Sequence, residues 1–422
     1  MAAAARSPDC VLAGPRKPVS GARYVARQPI LDLRGKVHGY ELLFRDGSDA
    51  VFRGDGELAT RTMIDNTVLF GLGRLTCGLP AFVNCTLETL TGSLVHLLPS
   101  GMTVLEILET VPPSPELIAA CRRLKTAGFR LALDDFTWKP GMEPLVELAD
   151  YIKVDFSLTQ SQERRKLLQP LRGVTVALVA EKVETLEQLS WARDEGFTLL
   201  QGYYFFRPVL LENAKVPANR VSQVEILRML QDDTIDLRIL AQQVKRDPSL
   251  TYRLLRLINS PVCAMRQEVQ SVQAALLAVG EETFRRMATL AITSELNMGQ
   301  PLELLRTAFV RARFCEQAGG FAAPDRKEQY LLGLLSLLPA MLRLPMKELA
   351  PSLPLREQIR QALLGEAVAE RTLLDWLEGH ERGDWAACDA IVETHSLEPQ
   401  DLLRIYEEAV LWAETALSFS QK

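Results

Sequence analysis

The sequence predicts a (β/α)8, TIM-like barrel domain followed by an all-α domain. Three observations predict it. Short β-rich runs alternate with helix-like stretches from about residue 24 to 208. A polar residue stands near the C-terminal end of nearly every one of those runs. Beyond about residue 208 the strand pattern stops and only helical periodicity remains.

The first 23 residues, "MAAAARSPDCVLAGPRKPVSGAR", lack the sustained apolar core of a signal peptide and read as a flexible, mildly basic tail. The β-rich runs are then "RYVARQPIL" (23–31), "KVHGYELLF" (36–44), "PAFVNCT" (80–86), "TVLEIL" (103–108), "FRLALDD" (129–135), "DYIKVDF" (150–156), "VTVALVAEK" (174–182) and "LLQGYYFF" (199–206). Helix-like stretches lie between them, including "SPELIAACRRLKTAG" (114–128) and "TLEQLSWARDEG" (185–196). In the second, Thr185 is placed as an N-cap and Gln188 completes a capping box, while Gly128 and Gly196 stand where helices should end. Strands alternating with helices imply parallel strands joined by right-handed crossovers.

Near the C-terminal ends of these runs come Glu41, Asn84, Glu106, Asp134 with Asp135, Lys153, Glu181 and Gln201. In a barrel such positions converge on one mouth, where barrel enzymes place their chemistry. One such residue alone reads as a loop cap or a surface charge; a whole series in register does not. The adjacent carboxylates of Asp134 and Asp135 repel each other unless a cation lies between them. Glu41, Asn84, Glu106 and Asp134 supply an all-oxygen set for one hard cation, and Asp134, Asp135 and Glu181 for a second. Oxygen donors suit Mg2+ or Mn2+ rather than zinc. A two-metal site of this kind supports phosphoryl displacement. Lys153 would hold or activate the attacking water, or form a salt bridge within the cluster.

After the boundary, 209–217 reads as a linker and 218–422 as the helical domain with a C-terminal helical extension. "YLLGLLSLLPAML" (330–342) is too short to span a bilayer and is broken by Pro339, so it reads as a buried helix pair. The arginines of "RTAFVRARFCEQAG" (306–319) read as a solvated helix face, and His380 and Asp384 as part of an exposed helix–turn–helix junction. Formal net charge is −5 with no basic block, so neither nucleic acid nor a membrane is expected as a partner. The seven cysteines form no Cys-x-x-Cys pair, which fits a reducing cytoplasm.

These motifs carry a resemblance. "RQPILDLRGKVHGYELLFR" (27–45), "VNCT", "LEILE", "LALDDF", "DYIKVD", "AEKVE" and "LLQGYYFFRP" follow in the order of an EAL domain, the cyclic-di-GMP phosphodiesterase module of bacteria. The Glu-x-Leu-x-Arg signature is Glu41, Leu43 and Arg45, with Leu42 at its central position. The resemblance implies metal ligation by Glu41, Asn84, Glu106, Asp134, Asp135 and Glu181. It implies that Lys153 meets the nucleophilic water and that Gln201 and Glu184 support the site. It also implies that Gln28 and Arg45 contact the dinucleotide, Arg45 through a phosphate, and that Glu109 anchors the loop after the paired aspartates.

That loop departs from the family. Active members usually continue as "DDFGTGYSS", whereas Phe136 is followed here by "TWKPGMEP". Pro140 and Pro144 fix φ and remove two backbone donors. Residues 246–280, with Asp247-Pro248, Asn259-Ser260 and Gly280, resemble an HDOD domain, an all-α relative of the HD phosphohydrolases. The four histidines are His38, His96, His380 and His395, so the metal ligands of an HD hydrolase are missing between 97 and 379. The two domains in this order resemble the YuxH-like class of bacterial signal-transduction proteins. The expectation is a cytoplasmic signalling protein whose barrel binds Mg2+ or Mn2+ and cyclic di-GMP and hydrolyses it to the linear dinucleotide. The helical domain would address a signalling protein. The alternative expectation is an inactive cyclic-di-GMP receptor or a scaffold.

Overall fold

The computed structural model describes residues 24–45, 72–202, 204, 218–232, 234–259, 269–322, 326–353 and 355–418. Eight strands close a barrel in chain order: β1 (Tyr24–Asp32), β2 (Val37–Arg45), β3 (Ala81–Cys85), β4 (Thr103–Ile107), β5 (Arg130–Leu133), β6 (Tyr151–Asp155), β7 (Ala177–Glu181) and β8 (Leu199–Gln201). Around it lie α1 (Leu72–Leu75), α2 (Leu87–Thr91), α3 (Pro115–Thr126), α4 (Glu143–Leu148), α5 (Ser161–Leu168) and α6 (Leu186–Asp194).

From β2 to β8 the neighbours pair parallel, as the alternation implies, but β1 runs antiparallel to both β2 and β8. The reason is local. Only four residues separate β1 from β2, too few for a crossover, so the pair folds as a hairpin. Asp32 Oδ1 closes its turn by accepting from the N–H groups of Arg34 (2.8 Å) and Lys36 (2.9 Å).

Helix ends follow the chemistry read from the chain. Ser114 accepts from the Leu117 N–H and so caps α3, and Thr185 and Gln188 form the expected capping box on α6. Gly128 and Gly196 stand after these helices at φ of 90° and 91°.

Strand period two builds the barrel interior in two layers. Ile30, Phe82, Val104, Ala132, Tyr151, Val179 and Leu199 form a closed apolar layer. Two residues away along each strand, on the same inward face, stand Gln28, Asn84, Glu106, Asp134, Lys153, Glu181 and Gln201. The apolar layer is therefore the floor of the polar one.

The helical domain contains α7 (Ala218–Gln231), α8 (Leu237–Lys245), α9 (Pro248–Ile258), α10 (Val272–Val279), α11 (Glu281–Leu296), α12 (Leu302–Ala322), α13 (Arg326–Leu335), α14 (Leu338–Leu342), α15 (Met346–Leu349), α16 (Glu357–Leu364), α17 (Thr372–Arg382), α18 (Trp385–His395) and α19 (Pro399–Ser418). The expected linker 209–217 lies outside the described residues. "YLLGLLSLLPAML" forms parts of α13 and α14, both buried. No helix among the described residues is long and apolar enough to cross a membrane. Among the described residues, Cys77, Cys85, Cys121, Cys315 and Cys388 form no disulfide.

Two expectations for this half are corrected. Arg306 and Arg311 are only 8% and 4% exposed, not solvated. Arg306 pairs with Glu303 and Glu414, and Arg311 with Glu378 and Glu381, because α12 runs through the middle of the domain. Arg313 alone keeps partial exposure, beside Glu316. The junction between α17 and α18 exists, with Asp384 capping α18, but His380 is fully buried. Its ring stacks on Trp376 at 5.0 Å and lies 4.5 Å from Tyr406.

The two domains meet along the β1–β2 hairpin. Buried Tyr40 donates to Glu303 Oε2 (3.0 Å), and Arg306 donates to the Tyr40 hydroxyl (3.4 Å).

Candidate active site

Lys153 is the centre of the polar layer. Its Nζ lies 3.1 Å from Glu41 Oε2, 2.8 Å from Glu106 Oε1, 3.0 Å from Asp134 Oδ1 and 2.9 Å from Glu181 Oε1. Lys153 and Glu106 have no exposed surface at all. Burial works against a charged lysine, but four surrounding carboxylates outweigh it and raise its pKa well above the usual lysine range. Among these four carboxylates Lys153 is an ammonium, a hydrogen-bond donor rather than a base.

The carboxylates are sorted by their partners. Burial alone would raise Glu41; Lys153 together with hydrogen bonds from Gln201 and Asn84 reverses this and holds it low. Gln201 Nε2 donates to Glu41 Oε2 (2.6 Å) and Asn84 Nδ2 to Oε1 (3.1 Å). Glu106, deeper and facing the Glu41 charge, is pushed well above the normal range. Burial likewise raises Asp134, and raises Glu181 to about 8, with Lys153 opposing in both cases.

Asp135 leaves the strand. Its φ is 39°, a left-handed conformation that aspartate tolerates better than most residues. The amides on either side stay in the sheet: the Asp134 N–H donates to Ile107 O (3.0 Å) and the Phe136 N–H to Lys153 O (2.9 Å). Burial and the Asp134 charge raise the Asp135 pKa, and Lys182 opposes them.

Asp155 and Lys182 were not singled out from the sequence, yet the structure brings them here. Asp155 Oδ1 accepts from the Ser157 N–H and hydroxyl, both at 2.6 Å, and its Oδ2 meets the Lys182 ammonium. Burial would raise Asp155, but these partners hold it below the usual range. Its position two residues after Lys153 on a strand was the signal that could have found it. Lys182, at φ 52°, follows β7 in an irregular segment and leaves no periodic signal.

Gln28 stands opposite Glu41 in the β1–β2 register, and its Oε1 accepts from Gln201 Nε2 (3.1 Å). Arg45 ends β2, and its side chain lies outside the described ones. Glu184 is exposed beyond β7, outside the buried cluster, with its N–H donating to Gln188 Oε1 (2.7 Å). Glu109 is exposed as well; its backbone carbonyl, rather than its carboxylate, receives Lys139 Nζ (2.7 Å).

That bond belongs to the replaced loop, which is pinned at several points. Trp138 Nε1 donates to Leu167 O at the end of α5 (2.8 Å), and the indole meets Phe136 edge-on at 5.2 Å. Pro144 enters the first turn of α4, where a missing N–H costs nothing.

The donor set fits divalent cations chemically. Six carboxylates (Glu41, Glu106, Asp134, Asp135, Asp155, Glu181) face two ammonium groups (Lys153, Lys182). Asn84 Oδ1, Glu106 Oε2 and Asp135 Oδ1 are buried oxygens without a hydrogen-bond partner. Such atoms are costly unless something cationic or protonated meets them. Among the described residues no three His, Cys, Asp or Glu side chains already close on one metal position, since four of the carboxylates point at Lys153 instead.

Comparison with known proteins matches residues 86–208 to the EAL domain and residues 216–374 to the HDOD domain. YuxH of Bacillus subtilis is 31% identical over 93% of this chain and 98% of its own length. The cyclic di-GMP phosphodiesterase CdgJ of Vibrio cholerae is 32% identical over 93% of this chain and 92% of its own. Among solved structures, the calcium and cy-diGMP complex of Klebsiella pneumoniae BlrP1 shares 23% identity over 46% of this chain and 57% of that one, with a TM-score of 0.38.

Proposed function

We propose the following for a chain that belongs to the family joining an EAL domain to an HDOD domain: its barrel binds divalent cations and cyclic di-GMP and hydrolyses the dinucleotide slowly. The observation that carries this reading is the ring of carboxylates around Lys153, with unpartnered oxygens of Asn84, Glu106 and Asp135 beside it. The name of the relative CdgJ supports the choice of substrate.

Glu41, Asn84, Glu106, Asp134, Asp135 and Glu181 would hold Mg2+ or Mn2+. When bound, such ions supply Lewis-acid activation of a water and of phosphate oxygens. Lys153, a fixed ammonium, would orient the attacking water by donation and balance the excess carboxylate charge. Gln201 would keep Glu41 turned toward the centre through its 2.6 Å bond. Gln28, at the outer end of that chain of bonds, would meet the dinucleotide, and Arg45 would take a phosphate, since a planar guanidinium matches phosphate oxygens. The helical domain would serve as the interaction module toward a signalling protein.

The pinned loop favours a second reading, a receptor that binds without turnover. Trp138, Lys139 and Pro144 restrain the segment that would have to adjust around the paired aspartates. One experiment separates the two. Purified protein is incubated with cyclic di-GMP and Mg2+ or Mn2+, beside Glu41→Ala. Linear dinucleotide that the substitution abolishes supports the enzyme. Saturable binding without product selects the receptor, and no binding at all overturns both.

A further inference from the structure

Helix α17 ends on the barrel. A helix leaves its last four carbonyls without intrahelical partners. Here two are taken by the turn that follows, since the Asp384 N–H donates to Gly379 O (2.9 Å) and the Gly383 N–H to His380 O (3.0 Å). The remaining two, Glu381 O and Arg382 O, each lie 3.4 Å from Gln28 Nε2. The barrel thus finishes the cap of a helix in the other domain with a residue of its own polar layer.

The same amide is one end of a chain of bonds into the candidate site. Gln28 Oε1 accepts from Gln201, Gln201 donates to Glu41, and Glu41 accepts from Lys153. The carbonyl of Gln28 is therefore committed inward, and only its NH2 faces the mouth. A ligand presenting acceptor oxygens there, such as a phosphate, needs the group that α17 now holds.

The contact is built to be given up. Both bonds are long, and the Arg382 one is solvent-exposed, so water can replace them. A small cleft of about 50 Å3, lined by Gln28, Pro29, Gly202, Thr307, Glu381 and Tyr406, lies beside it and has room for water. The other pole of the junction is different. Tyr40, Glu303, Arg306 and Glu414 form a charged network that is mostly buried and expensive to open.

We propose that the C-terminal turn of α17 and the barrel's ligand compete for the Gln28 amide, so that ligand binding frees the α17–α18 junction while the Tyr40 pole stays fixed. This rests on cyclic di-GMP binding as proposed above, and it supplies a route from the barrel to the helical surface. Reciprocity follows: whatever weakens the docked turn tightens the ligand.

Gly383 is the lever. Its φ is 72°, and a Cβ there would stand 2.9 Å from Leu43 Cδ1 of β2. In the full-length chain, Gly383→Val crowds Leu43 and strains the turn at its positive φ, which loosens its docking, and Leu43→Ala removes the surface it rests on without straining the helix cap. The probe is cyclic di-GMP with Ca2+ as a non-catalytic ion, read by calorimetry, with hydrogen exchange of residues 379–385 followed in the wild type. Releasing two weak hydrogen bonds should tighten binding roughly fivefold in either folded variant. Saturating ligand should also raise exchange at 379–385, together with trypsin cleavage after Arg382, whose side chain is 57% exposed. Unchanged or weaker binding in the folded variants overturns the competition, as does wild-type exchange that ligand leaves unaltered. Absence of saturable binding to the wild type removes the binding premise instead, and the competition with it.

Discussion

Replacing Lys153 with methionine removes the single positive charge among Glu41, Glu106, Asp134 and Glu181 while keeping most of the side-chain volume. All four carboxylate contacts fall between 2.8 and 3.1 Å, and the lysine is fully buried. Removing one partner of a buried ion pair costs about 3–5 kcal/mol, since the other charge is left uncompensated. For a domain of this size each kcal/mol moves the unfolding midpoint by about 2–4 °C, so the barrel should melt roughly 6–20 °C earlier in chelator. The loss should be larger at pH 9 than at pH 6. Glu106, Asp134 and Glu181 have folded pKa values above their unfolded ones. Their protonated forms stabilise the fold at low pH, and that stabilisation disappears as pH rises through the folded values, near 8 for Glu181. Mg2+ should restore part of the midpoint, adding about 2.7 kcal/mol at a hundredfold excess over its dissociation constant. Scanning calorimetry is the assay. A variant that melts with the wild type in chelator would refute the idea that this ammonium holds the carboxylate ring together. A variant that Mg2+ does not stabilise would refute the cation site.

Two further outcomes follow from single contacts. Trp138→Ala deletes the bond to Leu167 O and the contact with Phe136, and should cost about 1–3 kcal/mol at this half-buried position. Faster amide exchange confined to residues 136–142 checks it, and unchanged exchange there would show that the loop is held by something else. His380 is buried with neither ring nitrogen hydrogen-bonded, and burial lowers its pKa to about 3. Below pH 6.5 the unfolded chain takes up a proton that the folded chain refuses, so stability falls as pH drops, by about 2 kcal/mol at pH 5. His380→Phe should leave stability near pH 8 almost unchanged and flatten this acid slope, as denaturant titrations at the two pH values would reveal.

The polar mouth of the barrel was legible in the chain because it rests on a local rule. A strand turns every second residue to the same face, so an apolar residue followed two positions later by Asn84, Glu106, Lys153 or Glu181 already separates floor from site. Thr185 and Gln188 were legible for the same reason, since a capping box lies within four residues. The reversal of β1 could have been read from the four-residue spacing, but the alternation of strands and helices elsewhere masked it. Asp155 obeyed the strand rule and was passed over.

What the chain alone could not decide is who stands beside whom once distant elements pack. No local pattern distinguishes the buried Arg306 and Arg311 from the partly exposed Arg313; their burial comes from α12 lying under α17 and α19. His380 reads as a polar residue at a helix end, and only the aromatic cluster of Trp376, Trp385 and Tyr406 makes it part of a core. Sequence determined which side chains face the barrel axis, because that depends on backbone period. Tertiary structure alone decided that four carboxylates share one lysine and that Gln28 caps a helix more than 350 positions away, because those contacts depend on the closure of the barrel and the docking of a second domain.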